Sequence, residues 1–169
     1  MKTLIKNGLV VDPANLVQTH LNLLLEDGKI VAVTEEEPEA DRVIDADGKV
    51  VAPGFIDIHM HEDPVKDDKI QFCIFDAMLR MGVTTAVGGN CGINVYDPVK
   101  YLDLLERDGA PVNVMMFAGH QYYREAAGAL DKYSPVTEEQ RKMMKKGLEE
   151  ALEAGCVGIS YGLRYVPGT

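Results

Sequence analysis

Apolar residues recur with two different periods along the chain, and the change falls near residue 53. Before it, they come in short runs separated by turn residues, the pattern of strands. Leu4-Ile5 and Leu9-Val10-Val11 read as a pair of short strands around Asn7-Gly8. Leu21 to Leu25 and Ile30 to Val33 flank Asp27-Gly28, a two-residue turn that tolerates positive φ and joins antiparallel strands. Val43-Ile44 and Val50-Val51 flank Asp47-Gly48 in the same way, so the segment reads as a small antiparallel unit. The acidic run from Glu35 to Glu39, broken by Pro38, reads as a solvated loop.

After Pro53-Gly54 strands and helices alternate. Phe55 to His59 reads as a buried strand. Residues 69 to 82 carry Ile70, Cys73, Ile74, Ala77, Met78 and Met81 at helical spacing, with Gly82 as the stop. Val83 to Val87 is β-branched and short, a second strand. Asp97-Pro98 opens a helix through Val99, Leu102 and Leu105 that ends near Gly109. Val112 to Phe117 is a third strand. Thr137 and Gln140 match a capping box, and the helix they start presents Met144, Leu148, Ala151 and Leu152 before Gly155 closes it. Cys156 to Ser160 is a fourth strand, and Cys73 and Cys156 read as small buried hydrophobes. Four strands alternating with three main helices predict parallel βαβ units and an α/β fold.

Composition narrows the function classes. The chain has 169 residues, 46% of them hydrophobic, enough for a real core and too many for disorder. A net charge of -10 argues against nucleic acid or an anionic membrane as partner. No apolar run is long enough to span a bilayer, and the first residues do not read as a signal peptide. Three cysteines without a disulfide spacing read as a reduced chain, hence a cytoplasmic location.

The chemistry concentrates after the first two α/β strands. In His59-Met60-His61 the residues at i and i+2 of a strand share a side, so both imidazoles can reach one ion. The same spacing also fits two inert, hydrogen-bonded histidines. Gly88-Gly89-Asn90-Cys91-Gly92 follows the next strand and opens on the same end of the sheet. A thiolate at Cys91 would ligate zinc, and metal would hold it deprotonated. A nucleophilic cysteine is the lesser reading, because the nearby histidines are better explained as ligands. His20, before a strand of the small unit, reads as inert.

These motifs carry a resemblance. The stretch Val51 to His61 resembles the start of the barrel in the amidohydrolase superfamily, and the β-rich segment before it looks like that superfamily's N-terminal sheet. Gly82-Val83-Thr84-Thr85, Gly89-Asn90-Cys91-Gly92, Gly119-His120 with Arg124, and Gly158 to Leu163 with Tyr165, Pro167 and Gly168 look like the N-acyl-D-amino-acid deacylases, the D-aminoacylases. Met60 departs from the threonine usual between the histidines, and Glu62-Asp63 follows them. The resemblance implies one or two zinc ions, with His59 and His61 lining one position and Cys91 bridging towards a second. It implies hydrolysis of an N-acyl-D-amino acid by metal-activated water, with an aspartate after the last barrel strand as general base. It places Arg164 and Tyr165 in a loop that shapes the pocket for the substrate's side chain, and an arginine there suits an acidic one. It assigns His120 a place behind the ligands or in the scaffold.

The expected architecture is the N-terminal half of a (β/α)8 TIM barrel preceded by a small β-rich, sandwich-like subdomain. Residues 1–53 are the first part of the subdomain, and residues 54–169 the first half of the barrel, about four β/α units. A complete barrel has eight strands, so the later ligands and the general base are expected beyond Thr169. The chain alone is therefore expected to be an inactive fragment of a longer enzyme. Its open strand edges and helix faces would invite homo-oligomers. Two alternatives are a cyclic amidase of the dihydroorotase or hydantoinase kind, which the Asn90-Cys91-Gly92 turn opposes, and a non-catalytic half-barrel interaction module with a structural metal.

Overall fold

The computed structural model describes residues 1–131 and 133–164. The fold divides after Pro53 into two units, Met1–Pro53 and Gly54–Thr169.

The first unit is a sheet built on one long strand. β1 (Lys2–Asp12) pairs antiparallel with β2 (Val17–Glu26), and β2 pairs antiparallel with β3 (Lys29–Thr34). The β2–β3 turn has Asp27 and Gly28 at φ 49° and 78°, as a type I′ hairpin requires. Two expectations fail here. Asn7-Gly8 does not separate two strands; it is a bulge inside β1, where the register shifts between Ile5 and Gly8. Asn7 takes φ 66° there, and its amide N–H donates to Asn22 Oδ1 at 3.1 Å. Asp47-Gly48 does not join a hairpin either. β4 (Arg42–Asp45) and β5 (Val50–Val51) both pair parallel with β1. The turn between them steps along the same edge, with Ala46 N–H donating to Lys6 O and Leu9 N–H to Lys49 O. The unit is thus mixed rather than antiparallel. Leu4, Val10, Leu23, Leu24 and Ala46 are its buried apolar residues.

The second unit is an α/β layer. β6 (Phe55–Asp57), β9 (Val83–Gly88), β10 (Asn113–Gly119) and β11 (Gly158–Ser160) form one sheet in chain order, every neighbouring pair parallel. Between β6 and β9 lie a hairpin, β7 (Val65–Lys66) with β8 (Lys69–Ile70), and helix α1 (Ile74–Arg80). α2 (Pro98–Asp108) links β9 to β10, and α3 (His120–Ala126) and α4 (Glu138–Glu153) link β10 to β11. Phe75, Met78, Tyr101, Leu104, Met116, Ala118, Tyr123 and Ala151 pack into one buried cluster drawn from the helices and the sheet. Each of the large side chains, such as Phe75, Met78, Leu104 and Met116, stabilises the unit by about 1.5–3 kcal/mol when removed from water.

The helix signals work as read for α2 and α4. Asp97 accepts from Val99 and Lys100 N–H ahead of Pro98, and Thr137 with Gln140 closes both halves of a capping box. The helix expected over 69–82 is shorter, because Lys69 and Ile70 belong to the hairpin and the helical turn begins only after Cys73. α3 has no counterpart among the expected helices, so four α-helices are present among the described residues. Phe55 to His59 is not a buried strand: β6 is the sheet's edge, with Phe55 67% and Ile56 65% exposed. No helix among the described residues is long and apolar enough to cross a membrane.

Candidate metal centre

The C-terminal ends of β6 and β9 create the site. Asp57 Oδ1 accepts from His59 N–H at 3.0 Å, a local turn that ends β6. Met60 then buries its side chain, leaving His59 and His61 exposed on either side of it. Beyond β9 the chain turns at Gly89 (φ 74°) and Cys91 (φ 59°). A Cβ on Gly89 would collide with the carbonyl oxygen of Phe117, so only glycine fits.

This geometry sets Cys91 Sγ 3.3 Å from His59 Nε2. The His59 and His61 rings lie 6.2 Å apart at 75°. One ligand-type atom from each of His59, His61 and Cys91 lies within 4.8 Å of the others. Tetrahedral zinc with bonds of about 2.0–2.3 Å needs ligand atoms some 3.3–3.7 Å apart. The His59–Cys91 pair already meets that spacing, and an ion would require His61 to approach by about an ångström. Two imidazoles and a thiolate form a donor set suited to zinc or copper. The residues fit such an ion.

Polar side chains behind these residues fix the backbone that carries them. Asn90 is buried, and its amide donates to Val87 O at 2.7 Å and to Met60 O at 3.4 Å. That ties the peptide between the two histidines to the cysteine turn. Asn94 donates to Glu62 Oε1 at 2.8 Å and to Phe117 O at 3.1 Å, and accepts from Gly119 N–H at 2.7 Å. It therefore joins the ends of β6 and β10. Burial pushes the Glu62 carboxyl above its ordinary range, against the lowering effect of hydrogen bonds from its own backbone and from Asn94.

Asp63 is fully buried and caps α1 from ten residues away. Oδ1 accepts from the N–H of Cys73 and Ile74 and from Cys73 Sγ; Oδ2 accepts from Phe75 N–H. Desolvation works to raise its carboxyl, but the Cys73 thiol and the three N–H groups together hold it below the usual range. Tyr101 Oη donates to the Asp63 carbonyl at 3.1 Å. Sequence reasoning missed Asn90, Asn94 and the role of Asp63, since amides in a loop and a cap ten residues upstream leave no local pattern.

The other candidates fall elsewhere. His120 is the first residue of α3, stacked on Tyr161 with centroids 5.2 Å apart, and is not in the three-residue cluster. Arg164 is exposed, and Tyr165 lies outside the described residues. Cys73 is not a buried hydrophobe; it is exposed at the start of α1, because capping by Asp63 holds its backbone there. Its hydrogen bond to Asp63 raises the thiol. Cys156 is buried as expected, its thiol pushed up to about 11 by desolvation. His20 is exposed, with Nδ1 3.3 Å from Asn7 O.

A parallel α/β sheet with a His-x-His and a cysteine converging at its C-terminal end defines an α/β protein with a candidate metal site where such sheets carry their sites. A sequence model described as the amidohydrolase family matches residues 42–162, and the chain belongs to that family. An N-acyl-D-glutamate deacylase of Alcaligenes xylosoxydans xylosoxydans is 33% identical over 187 residues, covering 97% of this chain and 38% of the relative. Among solved structures, the N-acyl-D-glutamate deacylase of Bordetella bronchiseptica, complexed with zinc and a phosphonate mimic of the tetrahedral intermediate, is 32% identical. It superposes with a TM-score of 0.83 over 98% of this chain and 39% of that one. A D-aminoacylase mutant in complex with copper chloride is 29% identical, with a TM-score of 0.85 over 98% and 39%. The chain spans about two fifths of the length of these relatives.

Proposed function

We propose that this chain is the front half of a (β/α)8 barrel that hydrolyses the amide bond of N-acyl-D-amino acids, releasing a carboxylate and a D-amino acid. In this reading Met1–Pro53 is part of the small β subdomain, and β6, β9, β10 and β11 are the first four barrel strands. The convergence of His59, His61 and Cys91 at the C-terminal ends of β6 and β9 carries the reading. A zinc ion held there supplies a Lewis acid and an activated water. His59 and His61 contribute neutral nitrogens, and Cys91 contributes a thiolate that offsets the ion's charge. Asn90 and Asn94 hold the backbone that carries the three donors. Asp57 accepts from His59 N–H and Asp63 from the start of α1, while Glu62 accepts from Asn94 through Oε1 alone; the reading assigns the general base, as in the resemblance, to a part of the enzyme outside this chain. The segment alone is then inactive.

The reading also selects an acidic substrate. Arg164 follows β11 and presents an exposed guanidinium, which suits a carboxylate side chain. The similarity to two N-acyl-D-glutamate deacylases supports the same choice. In the enzyme containing this segment, kcat/KM is expected to be higher for N-acetyl-D-glutamate than for N-acetyl-D-methionine. Arg164→Met is expected to lower it for the glutamate by about 10- to 100-fold, the worth of a charged hydrogen bond. Better turnover of the methionine substrate contradicts the acidic preference.

A further inference from the structure

We propose that Ser160, the last residue of β11, is a positioning residue for Cys91; this deepens the metal-centre reading and rests on it. Ser160 Oγ accepts from Gly92 N–H at 3.0 Å and donates to the carbonyl oxygen of Gly89. One hydroxyl thus closes the turn on both sides of Cys91, using its donor and an acceptor lone pair at once. The closure is needed because Cys91 holds φ 59°, ψ 19°, a left-handed conformation that a non-glycine residue keeps only when its surroundings impose it. The two hydrogen bonds span 68 and 71 residues, so β11 adds a long-range restraint to the turn's own Ile93 N–H to Asn90 O bond. The backbone after Ser160 reinforces it. A Cβ on Gly92 (φ 76°) would lie 2.7 Å from Gly162 N and 3.2 Å from the Tyr161 carbonyl carbon. Ser160 acts on the ion through the direction of Cys91 Sγ, which lies 3.3 Å from His59 Nε2. The same clamp sets Tyr161 and Gly162, which precede the proposed substrate contact Arg164, against the turn that carries Cys91.

The test compares the full chain with Ser160→Ala and Ser160→Thr. Zinc affinity is read by chelator competition, and the thiolate-to-cobalt charge-transfer band by titrating Co2+ into the metal-free protein. Ser160→Ala is expected to weaken zinc by roughly 10- to 100-fold, as supporting partners of metal ligands do, and to diminish the band. Far-ultraviolet circular dichroism should stay unchanged, and Ser160→Thr should recover both readouts. Unchanged affinity and band in Ser160→Ala, or equal losses in both variants, would overturn the assignment. Should Ser160→Ala fail to fold, amide exchange at Gly92 in the wild type decides. Zinc should slow it at least tenfold, and exchange indifferent to zinc would overturn the clamp. Wild-type chain that binds no zinc fails at the metal-centre reading instead, and the proposal falls with it.

Discussion

At the scale of single residues, buried polar groups outside the three-donor cluster hold the loops and helix start around it. Asp63 has no solvent exposure, and such a carboxylate persists only because three N–H groups and a thiol satisfy it. Asp63→Ala strands those donors at the start of α1. The expected loss is about 3–5 kcal/mol in denaturant unfolding, as for breaking a buried charged network. A loss below about 1 kcal/mol would mean that water replaces the carboxylate. The cysteines separate in the same way. Cys91 is half-buried at the site, whereas Cys156 is buried with its thiol at about 11. Disulfide-exchange reagents at pH 8 should modify Cys91 readily and Cys156 only on unfolding, and zinc should protect Cys91. Modification of Cys91 indifferent to zinc would argue against ligation. His59, His61 and Cys91 are legible in the sequence because each sits in a short local motif. Asp63, Asn94 and Ser160 are not, because their partners lie 10 to 71 residues away.

Elements follow the sequence where their determinants are local. Asp27-Gly28 makes a hairpin, but Asp47-Gly48, with the same dipeptide signature, links two strands that both lie along β1. The turn residues specify a reversal, while the edge available on β1 decides the pairing. Helical spacing over 69–82 overshoots for a similar reason: Ile70 is buried from a hairpin strand, and burial alone does not make a helix. The helices carry a pH signature. Tyr101 of α2 and Tyr123 of α3 have hydroxyls raised by burial, and Tyr122 is pushed up to about 12 by burial and by donating to Asp97 Oδ2. A folded-state value above the ordinary 10.0 favours the neutral phenol in the folded protein. Their contribution to stability is therefore complete below that pH and is lost as pH rises through the folded values. Absorbance titration at alkaline pH should show these three of the seven tyrosines ionising late, together with unfolding. Ionisation of all seven at the ordinary value without loss of structure would contradict the packing of α2 and α3.

At the scale of the whole molecule, the second unit is open. β6 and β11 each leave an edge unpaired among the described residues, and Phe55, Ile56, Ile58 and Val157 on or beside them are exposed. The apolar run from Phe55 to His59 predicts a buried strand; here the strand is an edge among the described residues, so Phe55 and Ile56 are exposed. With the chain covering about two fifths of its relatives, these surfaces support the proposed reading of the sheet as half of a barrel. The candidate metal site needs no further strand to bring its three donors together, since His59, His61 and Cys91 are gathered among the described residues. The central claim is therefore testable on this chain. Native mass spectrometry with zinc present should show the ion retained by the wild type and lost in Cys91→Ser. A wild-type chain that takes up no zinc, or a Cys91→Ser variant that keeps it, would contradict the assignment of His59, His61 and Cys91 as the metal site.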